Sequence, residues 1–185
     1  MTSNILQTLH QDHANLIQLL SFIEMETHRI DRRDSMANFE LISLALEYCV
    51  EFPGRYHHPK EDLLYAKLIQ RDPKIAGRAA DLIEDHETID KLTREVAAKV
   101  ADTISGGETR TLCRAAAEFI RHYRYHIGIE ETEVFPQARH ALTDADWREI
   151  ENAYEDETDP LFGEHRRQAY IALQQRIVEH TASPC

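Results

Sequence analysis

The chain reads as all-α: an up-down-up-down four-helix bundle with one or two additional C-terminal helices. Three observations predict this. Apolar residues recur every three or four positions over long stretches, strand-like alternation is nearly absent, and the helical stretches are separated by short polar or Gly/Pro-bearing turns. With 185 residues, 42% of them apolar, the chain is long enough to bury one good core, and one domain is expected.

Taken in order, helix one starts after the capping residues Thr2-Ser3-Asn4 and runs to about His28, with Leu6, Leu9, Leu16, Leu20 and Ile23 on one face. The polar run Arg29 to Ser35 makes the first turn. Helix two extends from near Met36 to near Arg71, with Phe39, Ile42, Leu46, Cys49, Leu64 and Leu68 as its stripe. It contains Pro53-Gly54 and Pro59, and an interior proline costs about 3 kcal/mol in a regular helix. A kink or break is therefore expected just before residue 57. Helix three opens with Asp72 as cap and Pro73 at its first position, and stops before Ser105-Gly106-Gly107. Its stripe is Ala79, Leu82, Ile89, Thr93, Val96 and Val100, with Thr93 the weakest member. Helix four runs from about Glu108 to about His140, through Leu112, Ala116, Phe119, Tyr123 and Val134, with Pro136 near its end. Thr143-x-x-Asp146 resembles a capping box and starts a short helix through about Asp156. Asp159-Pro160 breaks it, and a last helix runs from about Glu164 to Glu179. The bundle is thus assigned to 1–142, and a helical extension packed on the same domain to 143–185.

Each stripe is interrupted by ionisable residues. His13 occupies a core slot of helix one, His57 and Glu61 of helix two, His86 of helix three, and His126 and Glu130 of helix four. The motif His-x-x-x-Glu occurs twice, and each copy follows an Asp-His pair, Asp12-His13 and Asp85-His86. Residues i and i+4 share a helix face, so a His and a Glu at that spacing can grip one ion or two adjacent ions. An unpaired buried carboxylate costs several kcal/mol, and no Lys or Arg occupies those slots to compensate. Bound cations are the simplest compensation, and these six are the candidate metal ligands. The repeat predicts two halves related by a pseudo-twofold axis. Imidazole plus carboxylate without thiolate suits iron, manganese or zinc.

Several neighbours are open. His58 is an extra ligand, outward-facing, or a support behind a ligand, and His122, one turn before His126, is either a further ligand or packed beside the site. His10 is expected at the rim; Tyr56 and Tyr123 are placed to donate to a bound oxygen species or simply to pack. His28, His140, His165 and His180 read as surface residues. Gly128, between His126 and Glu130, reflects close packing or space near the site.

The formal charge of -12 argues against nucleic acid or an anionic membrane as partner. Cys49, Cys113 and Cys185 are far apart and odd in number, which indicates reduced thiols and a cytoplasmic location. No apolar stretch is long enough to cross a bilayer.

The stretches from His57 to Leu64 and from His126 to Pro136, together with the two Asp-His pairs, resemble the hemerythrin-like, or HHE cation-binding, family of four-helix bundles. The resemblance spans about residues 5 to 140. It implies a non-haem di-iron centre, with Glu61 and Glu130 bridging two iron ions and the four histidines as terminal ligands. The oxygen carriers of the family have a His-x-x-x-His pair on the third helix; here the second position is Asp90, which argues against simple oxygen transport. Four neutral histidines against two carboxylates disfavour highly oxidised iron. Binding or sensing of dioxygen, peroxide or nitric oxide is therefore expected, with weak peroxidase chemistry as an enzymatic variant. The alternative is an iron-responsive regulatory or iron-handling module in which metal occupancy controls folding and partner binding.

Overall fold

The computed structural model describes residues 4–153, 159–162 and 170–182, the last three of these without their side chains. The described residues form helices α1 (Asn4–Asp31), α2 (Phe39–Phe52), α3 (His58–Arg71), α4 (Ala76–Ile104), α5 (Thr109–Ile129), α6 (Phe135–Ala141), α7 (Asp144–Ala153) and α8 (Ile171–Ala182). Two π-helical turns, Pro53–His57 and Glu130–Val134, join α2 to α3 and α5 to α6. The result is four rods: α1, α2 with α3, α4, and α5 with α6.

Their direction alternates, and the core shows it. One apolar cluster gathers residues 16–30 of α1, 42–52 of α2, 89–100 of α4 and 112–127 of α5. A second gathers residues 5–9 of α1, Leu64 to Leu68 of α3, Ile75 to Leu82 around the start of α4, and Val134 to Ala138. Every rod passes from one cluster to the other, each in the sense opposite to its predecessor. The six candidate ligands lie in the layer between the two clusters, on all four rods.

Local chemistry explains the boundaries. Asp72 caps the third rod by accepting from the Lys74 amide at 3.1 Å, and Pro73 opens a 3-10 turn before α4. Gly106 ends that rod with φ 99°, a left-handed conformation that glycine adopts without a steric cost. Thr93 is fully buried, its hydroxyl donating to the Ile89 carbonyl at 2.7 Å, so a polar residue fits the stripe. The second rod starts at Phe39 rather than near Met36, because Asn38 is the cap and accepts from the Glu40 and Leu41 amides. Where a kink or break is expected, Pro53 opens a π-helical turn and Pro59 stands in the first turn of α3. Helix four is not continuous to His140: the turn Glu130–Val134 interrupts it, with Pro136 just inside the α6 that follows.

The C-terminal helices cover the outer face. Trp147 and Ile150 of α7 enter the second cluster, and Leu173 and Ile177 of α8 enter the first. Thr143 and Asp146 form a reciprocal capping box: the Thr143 amide donates to Asp146 at 2.9 Å and the Asp146 amide to the Thr143 hydroxyl at 3.3 Å. Arg71 grips the same carboxylate with two bonds of 2.8 Å. The end of the short helix near Asp156, the last helix's start at Glu164, the Thr2-Ser3 cap, His165 and Cys185 lie outside the described residues, as does the side chain of His180. Cys49 and Cys113 are free thiols, His28 and His140 are exposed, and no described helix is long and apolar enough to cross a membrane.

Hydrogen bonds from Arg71 and Thr143 hold the Asp146 carboxyl well below its ordinary value. A carboxyl depressed on folding stabilises the fold above its unfolded value of about 3.9 and gives that up as pH falls through the lower folded one. The α7 dock should therefore loosen only below about pH 4. The single tryptophan, Trp147, reports it by fluorescence, and the acid step should be absent in Asp146→Asn.

Candidate metal centre

Each rod brings its donor to the same depth. His13 is 2% exposed, His57 and His126 are 1%, His86 is 9%, and Glu61 and Glu130 are completely buried. The imidazole Nε2 atoms face the two carboxylates. Glu61 Oε1 lies 3.1 Å from His57 and 3.3 Å from His13, while its Oε2 lies 3.4 Å from His86. Glu130 mirrors this, with Oε1 3.2 Å from His126 and Oε2 3.2 Å from His13. Two groups of possible ligand atoms result, His13, His57, Glu61 and Glu61, His86, His126, Glu130, each within 4.8 Å and sharing Glu61.

Several of these atoms face one another without satisfying one another. Glu61 Oε2, Glu130 Oε2, His86 Nε2 and His126 Nε2 are buried and have no hydrogen-bond partner. Buried polar atoms are normally paired, and four orphans around one point are what a cation set would satisfy. The electrostatics agree. Burial alone would push Glu61 up, but His57, His13 and His86 hold it well below the usual carboxylate range. Burial would lower His126, yet Glu130 and Asp85 raise it to about 10, and Glu130, Glu131 and Glu61 likewise lift His13 despite burial. The pocket thus favours positive charge at its centre, and multivalent ions fit it.

Behind each imidazole stands a carboxylate on the other ring nitrogen. Asp12 lies 3.3 Å from His57 Nδ1, Asp85 3.0 Å from His126 Nδ1 and Glu131 2.7 Å from His13 Nδ1; Asp62 is 3.8 Å from His86 Nδ1. A proton shared on Nδ1 leaves the Nε2 lone pair directed inward. The pattern repeats in both halves. The acid before each single histidine serves the clamp histidine of the next rod; of the acids after the clamp glutamates, Glu131 bonds the single histidine of the opposite half, whereas Asp62 faces His86 from beyond hydrogen-bond distance. The Asp-His pairs stand out in the sequence, but this division of labour does not. The signal was present, since an acid adjoins each of the four positions 13, 61, 86 and 130. Tyr65 is likewise unmarked in the sequence. It follows Glu61 by one turn, is fully buried, and donates to Glu130 Oε1.

The remaining neighbours take distinct places. His122 bonds Asp85 at 2.6 Å and stands outside the cluster, on the carboxylate that orients His126. His10 lies at the rim on Glu131. His58 stacks on His86 with ring centroids 3.8 Å apart and its Nε2 buried without a partner; burial and His86 depress it well below the ordinary histidine value. Tyr123 has a buried, unpartnered hydroxyl, whereas Tyr56 packs on Phe52. Nothing lies within 4 Å of where a Cβ at Gly128 would stand, so close packing does not account for that glycine.

Replacing an orienting carboxylate tests the arrangement. Asp85→Asn or Glu131→Gln should lower metal affinity about 10- to 100-fold, read by competition with a chelator, without preventing folding. Wild-type affinity in both would sever these acids from the centre.

Residues 4–138 match the family pattern described as the hemerythrin HHE cation binding domain. Proteins of Mycobacterium bovis and Mycobacterium tuberculosis, each described as uncharacterized, are 24% identical over 167 residues, which is 89% of this chain and 65% of theirs. The chain therefore spans about two thirds of the length of the curated relatives it matches. With the match covering all four rods and both His/Glu clamps, this chain belongs to the hemerythrin HHE cation-binding family.

Proposed function

We propose that the protein holds two iron ions, His13 and His57 on one, His86 and His126 on the other, with Glu61 and Glu130 shared, and that it binds or senses dioxygen, peroxide or nitric oxide. One observation carries this reading: each glutamate directs its two oxygens toward imidazoles of both halves. Manganese or zinc would fit the same donors as substitutes. Iron held there would supply reversible or slow two-electron chemistry toward these small molecules.

The chain's own residues do the rest. Asp12, Asp85 and Glu131 hold the imidazoles of His57, His126 and His13 in the orientation that presents Nε2. Tyr65 holds Glu130. The two apolar clusters exclude bulk water above and below the layer, and the Tyr123 hydroxyl is a buried donor for a polar guest. A cytoplasmic setting suits the free thiols.

Elemental analysis of freshly purified protein, with absorption spectra under anaerobic and aerobic conditions, tests the proposal. Two irons per chain and an oxygen-dependent charge-transfer band are expected. A single zinc, or a ferrous protein inert to oxygen and peroxide, would refute it.

A second reading, an iron-responsive module, is favoured by a separate observation. The donors come from all four rods, so occupancy and folding are linked.

A further inference from the structure

A cavity of about 460 Å³ beside α2 and α4 reaches the centre on its His86 side. Exposure falls along its lining, from Glu87, exposed, and Asp90, half-exposed, past His58 to buried His86. Two features distinguish it. The His58 Nε2 is buried with no hydrogen-bond partner, although its ring lies flat on His86, 4° from parallel. A buried nitrogen without a partner is costly, and a passing cation would satisfy it. Gly54, in the π-helical turn, also lines the cavity, and nothing lies within 4 Å of where its Cβ would stand. The space is open there.

We propose that this cavity is the entrance through which divalent cations load the centre, with Glu87 and Asp90 gathering the ion at the rim and His58 Nε2 holding it in passing before His86. This rests on the metal-centre reading above. The step is ligand exchange only: the ion sheds water at the rim, trades carboxylate oxygen for the His58 nitrogen, then that nitrogen for His86 Nε2, with no change of oxidation state. Asp90 also bonds Arg94 at 2.9 Å, so part of the rim charge is already answered. Burial pushes the Cys49 thiol in the wall well up, so the passage offers no thiolate to trap a soft ion.

Rapid anaerobic mixing of the metal-free full chain with cobalt(II), followed through its visible bands, tests the entrance separately from the site. The double variant Glu87→Gln/Asp90→Asn should take up cobalt about three- to tenfold more slowly at low salt, with the difference shrinking as salt rises. Gly54→Leu should slow uptake at any salt by narrowing the cavity. His58→Phe, which keeps the stacked ring but removes the nitrogen, should slow it too. All variants should end at the wild-type stoichiometry and spectrum. Wild-type rates in both the double variant and Gly54→Leu overturn the entrance. An altered final spectrum in His58→Phe overturns the relay, because His58 would then be a resident ligand. Failure of the wild-type chain to bind cobalt at all overturns the metal reading itself, and the entrance with it.

Discussion

Stripping the metal from the purified protein should lower its melting temperature by about 8 to 16 °C for each filled site. An ion present at about a thousand times its dissociation constant stabilises the folded state by about 4 kcal/mol. For a chain of this length, each 1 kcal/mol moves the melt by about 2 to 4 °C. The sign follows from what is buried. Glu61 and Glu130 are inaccessible to water, and without ions their charge is answered by shared protons on the surrounding imidazoles and by the Tyr65 hydroxyl on Glu130. Because all four rods supply donors, the loss should spread through the bundle. Hydrogen exchange should quicken first at the two π-helical turns, which carry His57 and Glu130 and have the least regular backbone bonding. Calorimetry before and after chelation decides the matter. A melt that does not move, in protein from which the metal is known to be gone, would defeat the linkage.

Glu61→Ala should weaken binding of both ions, whereas His86→Ala should weaken only one. Glu61 belongs to both groups of ligand atoms, while His86 belongs to one and leaves His13, His57 and Glu61 intact. Removing one member of a buried charged set costs about 3 to 5 kcal/mol. Each 1.4 kcal/mol is about tenfold, so affinity should fall by a hundred- to several-thousand-fold. A second consequence separates this variant from ordinary destabilisation. Glu61→Ala also removes a buried charge from the metal-free protein, so its melt should no longer respond to chelation. Competition with a chelator reads the first effect and paired melts read the second. Wild-type affinity for both ions in Glu61→Ala would disprove the shared role.

Much of this centre was legible before any fold was known, because a histidine or glutamate in a core slot has to be compensated wherever the helix packs. The interruptions at 13, 57, 61, 86, 126 and 130 could be read from periodicity alone, and the stripes do enclose them. The box at Thr143 and Asp146 was equally readable, since both partners lie within one turn. The start of α2 was not. Asp34 and Asn38 are both good caps, and Asn38 prevails because its amide donates to the buried Glu26 carboxylate at 3.0 Å, a contact across the first turn. The π-helical turn at Glu130 had a weaker marker than the one at Pro53: Pro136 follows it as Pro59 follows the first, but no proline opens it.

The sequence by itself determined that these six ionisable residues lie on inward helix faces, because side-chain direction repeats with the helical period whatever the partner; it did not mark Glu26, which is buried as completely. Only the tertiary structure decided which acid serves which imidazole. Asp12 adjoins His13 in the chain but orients His57, and Glu131 reaches back from the fourth rod to His13. Successive residues on a helix point about 100° apart, so covalent neighbours diverge and each must find its partner on another rod.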